Sequence, residues 1–505
     1  MTADCKVTAG APLNSRQLKI LWDDPDFWVK ANLAVKRLQM RIAKATEHKI
    51  WNRVKALQRI LTTSFYAKML AVRRVSYNRG ARTAGVDGLK LNTFARKLIV
   101  LLSLQRKGYK AQPLRRITIP KKNGKFRPLG IPTMKDRCMQ ALFKLALEPV
   151  AETLADPNSY GFRPHRACRD AISQCFNTLS KYNCAEWILE ADIKACFDEI
   201  DHDWILNNIP MDKLILKQWL KCGFIKGKSN KIFPTKSGTP QGGIISPTLA
   251  NMVLDGLEKE IKKVAHKGER VNFIRYADDF IVTSKNKEIL EERIKPLIES
   301  FLTPRGLTLS EEKTSITHIS NGFDFLSQNM RKYRGKFITQ PSKKAVQNRA
   351  GKVSDIIKSH NGRTQESLIR TLNRTTHGWT NYHKHIQSSK SFQKLDTVFY
   401  KALCKWARRQ NRNVTRKWVH KHHFRDTPKK NWTFSCKVTN RFGKRVWLDL
   451  YYHCQTKITR YTKIRAVANP FKKEYVEYFM KRGQSSKTWM TVSNNKFNPK
   501  SPVTV

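Results

Sequence analysis

The sequence predicts an α+β fold. Short segments rich in apolar and β-branched residues lie in its middle, at Leu114–Ile131, Trp187–Ile193 and Arg275–Phe280, and amphipathic helical spacing dominates on either side. A composition of 40% hydrophobic and 10% aromatic residues is enough to build cores, which excludes a disordered basic tail, and 505 residues suffice for several domains. Charge is the third observation. The 97 lysines and arginines outnumber the 39 aspartates and glutamates, leaving +58, a surface suited to polyanions.

In chain order, residues 27–75 read as helical, with Val54, Leu57 and Leu61 at core spacing. The interleaved Arg37, Arg41, Lys44, Arg53 and Lys55 suit an RNA-facing surface as well as a solvated one. Gly85-Val86-Asp87-Gly88 signals a turn, and a further helical stretch runs from Leu91 to Leu104. Leu114–Pro120 and Phe126–Ile131 form a basic β-hairpin about Lys122-Asn123-Gly124-Lys125. Its Lys121 and Arg127 lie six residues apart across the turn, where both can point at one triphosphate; taken alone, the hairpin is better read as an ordinary charged one. Helical spacing resumes over Lys135–Leu154, followed by the aromatic and basic loop Ser159–Pro164.

Two acidic motifs follow. Trp187–Ile193 is a strand candidate bearing Asp192 near its end, with Cys196-Phe197-Asp198 just beyond, and Arg275–Phe280 reads as a strand-turn-strand carrying Asp278 and Asp279. Magnesium prefers oxygen ligands, and a pair of such ions clamps the attacking and leaving oxygens of a phosphoryl transfer. Between the motifs, Ser237–Pro247 contains Gln241-Gly242-Gly243 and opens an apolar helix to about Glu260. Adjacent glycines admit a close backbone approach, and Gln241 can donate and accept toward a base or sugar.

Beyond Phe325-Leu326 the chain turns helical and basic. In residues 387–410, Phe392, Leu395, Phe399, Leu403 and Trp406 make a core stripe, opposite Lys390, Lys394, Lys401, Lys405 and Arg408. From 411 onward, Arg412, Arg416, Lys417, Lys421, Lys429 and Lys430 alternate with Trp418, Trp432 and Phe434, a mixture suited to phosphate contacts and base stacking. His420, His422 and His423 lack companion cysteines or acids and read as a basic segment rather than a metal site. The ten cysteines never form a C-x-x-C pair, which disfavours zinc fingers and fits reduced thiols. No apolar run approaches the roughly 20 residues of a membrane span, and Met1–Ile20 lacks a secretory core. The expected location is a bacterial cytoplasm, or an organelle matrix if the gene is organellar.

The order of these motifs resembles the reverse transcriptase and maturase proteins encoded within group II introns. The resemblance rests on the helices through Gly88, the hairpin Ile119–Arg127, and the blocks Ala191–Phe197, Pro240–Pro247, Tyr276–Asp279 and Gly306–Lys313. It continues through Leu368–Trp406 and Ile464–Phe479 and covers roughly residues 27–482. It implies a right-hand polymerase with fingers, an antiparallel-sheet palm and an α-helical thumb, with an N-terminal helical extension and a basic C-terminal DNA-binding region. The implied boundaries are a tail at 1–26, the RNA-binding extension at 27–90, fingers at 91–175, palm at 176–335, thumb or maturase domain at 336–410, DNA-binding region at 411–482 and a tail at 483–505.

Carried onto this chain, the resemblance makes Asp192, Asp278 and Asp279 the catalytic residues and ligands of two Mg²⁺ ions. Lys121, Arg127, Phe197, Gln241 and Gly242 would bind the dNTP, with Phe197 excluding ribose; Lys313 would contact primer or template, and Tyr276 would support the hairpin. The implied partners are the group II intron RNA, an RNA template with a DNA primer, target DNA and dNTPs, with no membrane. The implied function is RNA-directed DNA polymerisation together with intron binding as a maturase and mobility by target-primed reverse transcription. Alternatives are a splicing-only maturase, or a domesticated or defence reverse transcriptase without an intron. Longer members carry a cysteine- and histidine-built nuclease, whose ligands are not expected after Arg482.

Overall fold

The computed structural model describes residues 14–484 apart from 121–123, 125, 228–230, 412 and 429. Lys121, most of the predicted hairpin turn, Arg412, Lys429, residues 1–13 of the predicted N-terminal tail and residues 485–505 of the predicted C-terminal one therefore lie outside the described residues.

The expected N-terminal helix resolves into Pro25–Glu47, Trp51–Thr63 and Phe65–Tyr77, preceded by Ser15–Asp23. Asp24 starts the longest of these by accepting from the Asp26 and Phe27 amides, with Pro25 in the first turn where its missing N–H costs nothing. Val54, Leu57 and Leu61 are buried as expected, and Arg37, Arg41, Lys44, Arg53 and Lys55 are exposed. These helices pack against Met134–Leu154, which is apolar on most sides and buried in the largest core. The stretch expected over Leu91–Leu104 is helical only at Phe94–Leu102, capped by Thr93.

Three sheets organise the middle. Strands β1 (Leu114–Pro120) and β2 (Phe126–Ile131) form the expected antiparallel hairpin. Strand β3 (Trp187–Asp192) belongs to the central sheet, whereas β4 (Phe224–Lys226) and β5 (Ile232–Phe233) extend the hairpin into a sheet of order β2-β1-β4-β5. Strands β6 (Asn272–Tyr276), β7 (Asp279–Ser284) and β8 (Ser315–His318) complete the central antiparallel sheet, order β6-β7-β3-β8. Strands β9 (Phe323–Phe325), β10 (Gln328–Tyr333) and β11 (Lys336–Pro341) make the third. The helix expected to run to Glu260 breaks instead into Ser246–Leu254 and Leu257–Val264. The chain turns at Gly256, whose φ is +99°, and Asp255 is drawn out of the helix toward Arg275.

The remainder is helical, at Lys343–Ser359, Gln365–His383, Ser389–Gln410 and Arg416–His423. Phe392, Leu395, Phe399, Leu403 and Trp406 are buried, and the five opposing basic residues are exposed. The continuation departs from expectation: β12 (Phe424–Thr427), β13 (Lys430–Thr439) and β14 (Arg445–Asp449) form a small antiparallel sheet. Phe434 is fully buried there, a core residue and not a stacking platform, because the pleat turns it toward Trp406 and Phe424. After this sheet the chain returns to the first half. Tyr461 and the Ile464 amide bond Asp170, and Lys472 pairs with Glu47.

Candidate active site

Pairing of β3 with β7 sets Asp192 opposite Asp279. Strands β6 and β7 are joined by the two-residue turn Ala277-Asp278, in which Ala277 has φ +60°. The loop Asn158–Gly161 seats this turn: it exchanges hydrogen bonds with Arg275 at 2.9 and 3.0 Å, and a Cβ on Gly161 would stand 2.4 Å from the Ala277 nitrogen. Beneath lie two buried arginines. Arg275 is paired with Asp255, and Arg163 grips Glu152 through two bonds of 2.8 and 2.9 Å. Buried pairs of this kind fix geometry more than they add stability.

The acids crowd one another. Burial pushes the Asp279 carboxyl up to about 7, reinforced by the charge of Asp278 and by a hydrogen bond and charge from Asp192. Asp279 is exposed at the mouth of the cluster, so water screens part of this repulsion. Asp278 is raised by burial and Asp192, against the opposing pull of its own turn amide and of Arg127 and Lys313. Lys313, on the turn Glu311–Lys313, forms an ion pair with Asp192 that raises the lysine. Its backbone is anchored there because Ser310 donates to the Asp192 carbonyl at 2.8 Å.

Among the described residues no three His, Cys, Asp or Glu side chains converge closely enough to enclose a metal. The donor chemistry nevertheless fits a hard divalent cation: three carboxylates on adjoining strands repel one another, and a cation, Lys313, is already drawn to them. His420, His422 and His423 are directed to Tyr400, Trp418 and Gln365 respectively.

Beside the acids lies a cavity of about 190 Å³ lined by residues including Pro128, Gly130, Phe197, Asp198, Gly238 and Gln241. Phe197 reaches it because Ala195, at φ +42°, bends the chain sharply after β3. The ring stands edge-on to Phe162, 6.4 Å between centroids. Gln241 donates to Asp198 at 3.3 Å, and Gly242 lies so close to β2 that a Cβ would meet the Gly130 carbonyl at 2.2 Å. Arg127 is exposed on β2 and its charge acts on Asp278. Tyr276 ends β6 half-buried, and burial raises its hydroxyl above the ordinary tyrosine range.

Thus Asp192, Asp278, Asp279, Lys313 and Arg127 share one electrostatic neighbourhood, with Phe197 and Gln241 lining the cavity and Gly242 packed against β2 next to it in sequence. Sequence reasoning missed the support formed by Gly161, Arg163 and Arg275. An arginine inside the apolar run Phe273-Ile274-Arg275-Tyr276 was the available signal, because a buried charge requires a partner.

Residues 119–330 match the reverse transcriptase (RNA-dependent DNA polymerase) family, residues 22–104 the N-terminal domain of reverse transcriptase, and residues 346–424 the group II intron maturase-specific domain. Group II intron-encoded protein LtrA of Lactococcus lactis subsp. cremoris is 32% identical over 343 residues, 54% of this chain and 56% of that protein. Protein YkfC of Escherichia coli is 30% identical over 56% of this chain and 85% of that protein. Maturase-like protein 1 of Euglena gracilis is 26% identical over 71% and 76% respectively. The chain spans little more than half the length of the first of these relatives.

Proposed function

Since the chain belongs to the reverse transcriptase and maturase family of group II introns, we propose that it is an RNA-directed DNA polymerase that also binds its parent intron RNA to assist splicing. The observation that carries the polymerase reading is the set of three crowded carboxylates beside a cavity walled by Phe197, Gln241 and the β1–β2 hairpin. In this reading β1–β2 belongs to the fingers (91–175), the central sheet is the palm (176–335), and the helices from 336 to 410 are the thumb, between an RNA-binding extension (27–90) and a basic DNA-binding region (411–482).

Reverse transcriptases use divalent metal ions. Two Mg²⁺ held by Asp192, Asp278 and Asp279 would activate the primer 3′-hydroxyl and neutralise the leaving pyrophosphate. The chain's own contribution is positioning and charge. Arg127 forks onto the triphosphate, a role that the sequence also assigns to Lys121, Phe197 stands against the sugar C2′ to reject ribonucleotides, and the Gly242 backbone closes the pocket floor. Tyr276 steadies the acid turn. Lys313 leaves Asp192 and turns to the primer–template backbone.

Intron binding draws on the exposed basic residues of the first helices and of Ser389–Gln410. Many phosphate contacts make such binding fall steeply with salt. The same surfaces, carrying intron RNA onto target DNA, would support mobility by target-primed reverse transcription. Among the described residues no helix is long and apolar enough to cross a membrane. The testing experiment is a pair of assays on one preparation, dNTP incorporation on an RNA template and splicing of the parent intron. Splicing without incorporation would leave a splicing-only maturase, and incorporation without any intron in the flanking genome a domesticated reverse transcriptase.

A further inference from the structure

In the loop that seats the acid turn, Phe162 stands in left-handed backbone, at φ +57°. For so bulky a side chain this is an outlier, and such strain persists only where the surroundings over-determine it. Here they do so on both sides. The Asn251 side chain donates to the Gly161 carbonyl at 2.7 Å. The Arg163 guanidinium, besides its grip on Glu152, donates to the carbonyls of Asp156 and Ser159 at 2.7 and 2.9 Å. Gly161 and Arg163 are buried, whereas Phe162 between them keeps 51% of its surface exposed.

A loop that needed only a left-handed residue at this point would be served with less strain by glycine or asparagine, and neither would hold an apolar ring at the surface. The position is therefore explained by the ring and what it touches. That partner is Phe197, 6.4 Å away between centroids with the planes at 83°, an edge-on pair within the range where aromatic rings attract. The Thr239 amide donates to the Phe197 carbonyl at 2.7 Å and so fixes its backbone beside the cavity, but not the direction of its ring. A phenylalanine ring turns about two side-chain bonds, and an edge-on neighbour restricts both.

We propose that Phe162 is a positioning residue for sugar selection: it holds the Phe197 ring in the stance that separates a deoxyribose from a ribose. The proposal deepens the polymerase reading above and rests on it. Rejecting a nucleotide for one extra hydroxyl requires a wall that does not swing aside. Because Gly161 packs on the Ala277 backbone, the loop that seats the carboxylates also sets this wall, and the two share one rigid support.

The test measures kcat/KM for a dNTP and the matching rNTP in primer extension by the full chain. Phe162→Ala and Phe162→Gly should each lower the dNTP-to-rNTP ratio by about two- to tenfold, the factor an edge-on aromatic pair is worth. Glycine is free of strain at positive φ, so Phe162→Gly should melt above Phe162→Ala while losing as much discrimination. In a Phe197→Ala background, Phe162→Ala should lower the ratio no further. An unchanged ratio overturns the proposal. So does a loss that follows the melting midpoint rather than the ring, or a full additional loss in the Phe197→Ala background. Should wild type extend no primer, the polymerase reading fails and sugar selection falls with it. The ring contact is then decided separately by 4-fluorophenylalanine placed at position 197. Its fluorine resonance should shift and narrow in Phe162→Ala, and an unmoved resonance refutes the contact.

Discussion

At the acid turn, Asp192, Asp278 and Asp279 crowd together with Lys313 and the more distant Arg127 as their cations. In the helical half, a single buried carboxylate, Asp396, is fully matched: it accepts from the His453 ring at 2.8 Å, the His453 amide at 2.8 Å and the Cys454 amide at 3.0 Å. Arg349 donates to the other ring nitrogen of His453 at 3.3 Å and to Thr376 at 2.8 Å. That geometry makes His453 a neutral tautomer, protonated on Nδ1. Burial lowers its pKa, and for Asp396 the bonds from His453 and Cys454 outweigh the upward pull of burial. The two regions therefore respond oppositely to charge. One carboxylate cluster is left electrostatically unfinished at the surface, where a ligand can complete it; the other site is finished internally and serves the fold.

Mutations should separate them. The largest effect is expected at Asp192→Asn, which should reduce primer extension by at least about a thousandfold in a single-turnover assay while leaving RNA affinity unchanged. Asp396→Ala should leave the polymerising residues in place but destabilise the chain by about 3 kcal/mol, because three buried donors lose their acceptor; chemical denaturation measures this. Gly161→Ala comes next. Its Cβ meets the turn backbone, so a cost of about 2 kcal/mol and a displaced acid turn are expected, read as a lower melting midpoint together with lower activity.

The pH dependence sharpens the contrast. His453 and Asp396 are both lowered, so stability from this pair falls as pH drops, first below about 6.5 where the unfolded histidine gains a proton that the folded one resists. Asp279 is raised to about 7, so its contribution has the opposite sign: stability is lost as pH rises from the ordinary carboxylate range toward 7. Metal-free melting curves from pH 5 to 8 should therefore flatten at the acid end in His453→Gln and at the neutral end in Asp279→Asn. The Asp279 effect is the smallest expected, since water screens it.

The acid motifs were legible because a local pattern encodes them: a strand ending in Asp192, and a hairpin too short to hide Asp278 and Asp279. The core stripe from Phe392 to Trp406 was legible for the same reason, since helical period reports which face is buried. The supports were not, because Arg275 finds Asp255 from 20 residues away and Arg163 finds Glu152 on another element. Strands β12 to β14 escaped because their basic and aromatic residues suggested nucleic-acid contact, while the pleat buried Phe434 and left Trp432 exposed.

The most direct measurement is primer extension on an RNA template with Mg²⁺, comparing wild type with Asp278→Ala/Asp279→Ala and recording RNA binding for both. Wild type should make complementary DNA, while the variant should bind RNA equally well and extend nothing. Tight RNA binding by both proteins with extension by neither would contradict it.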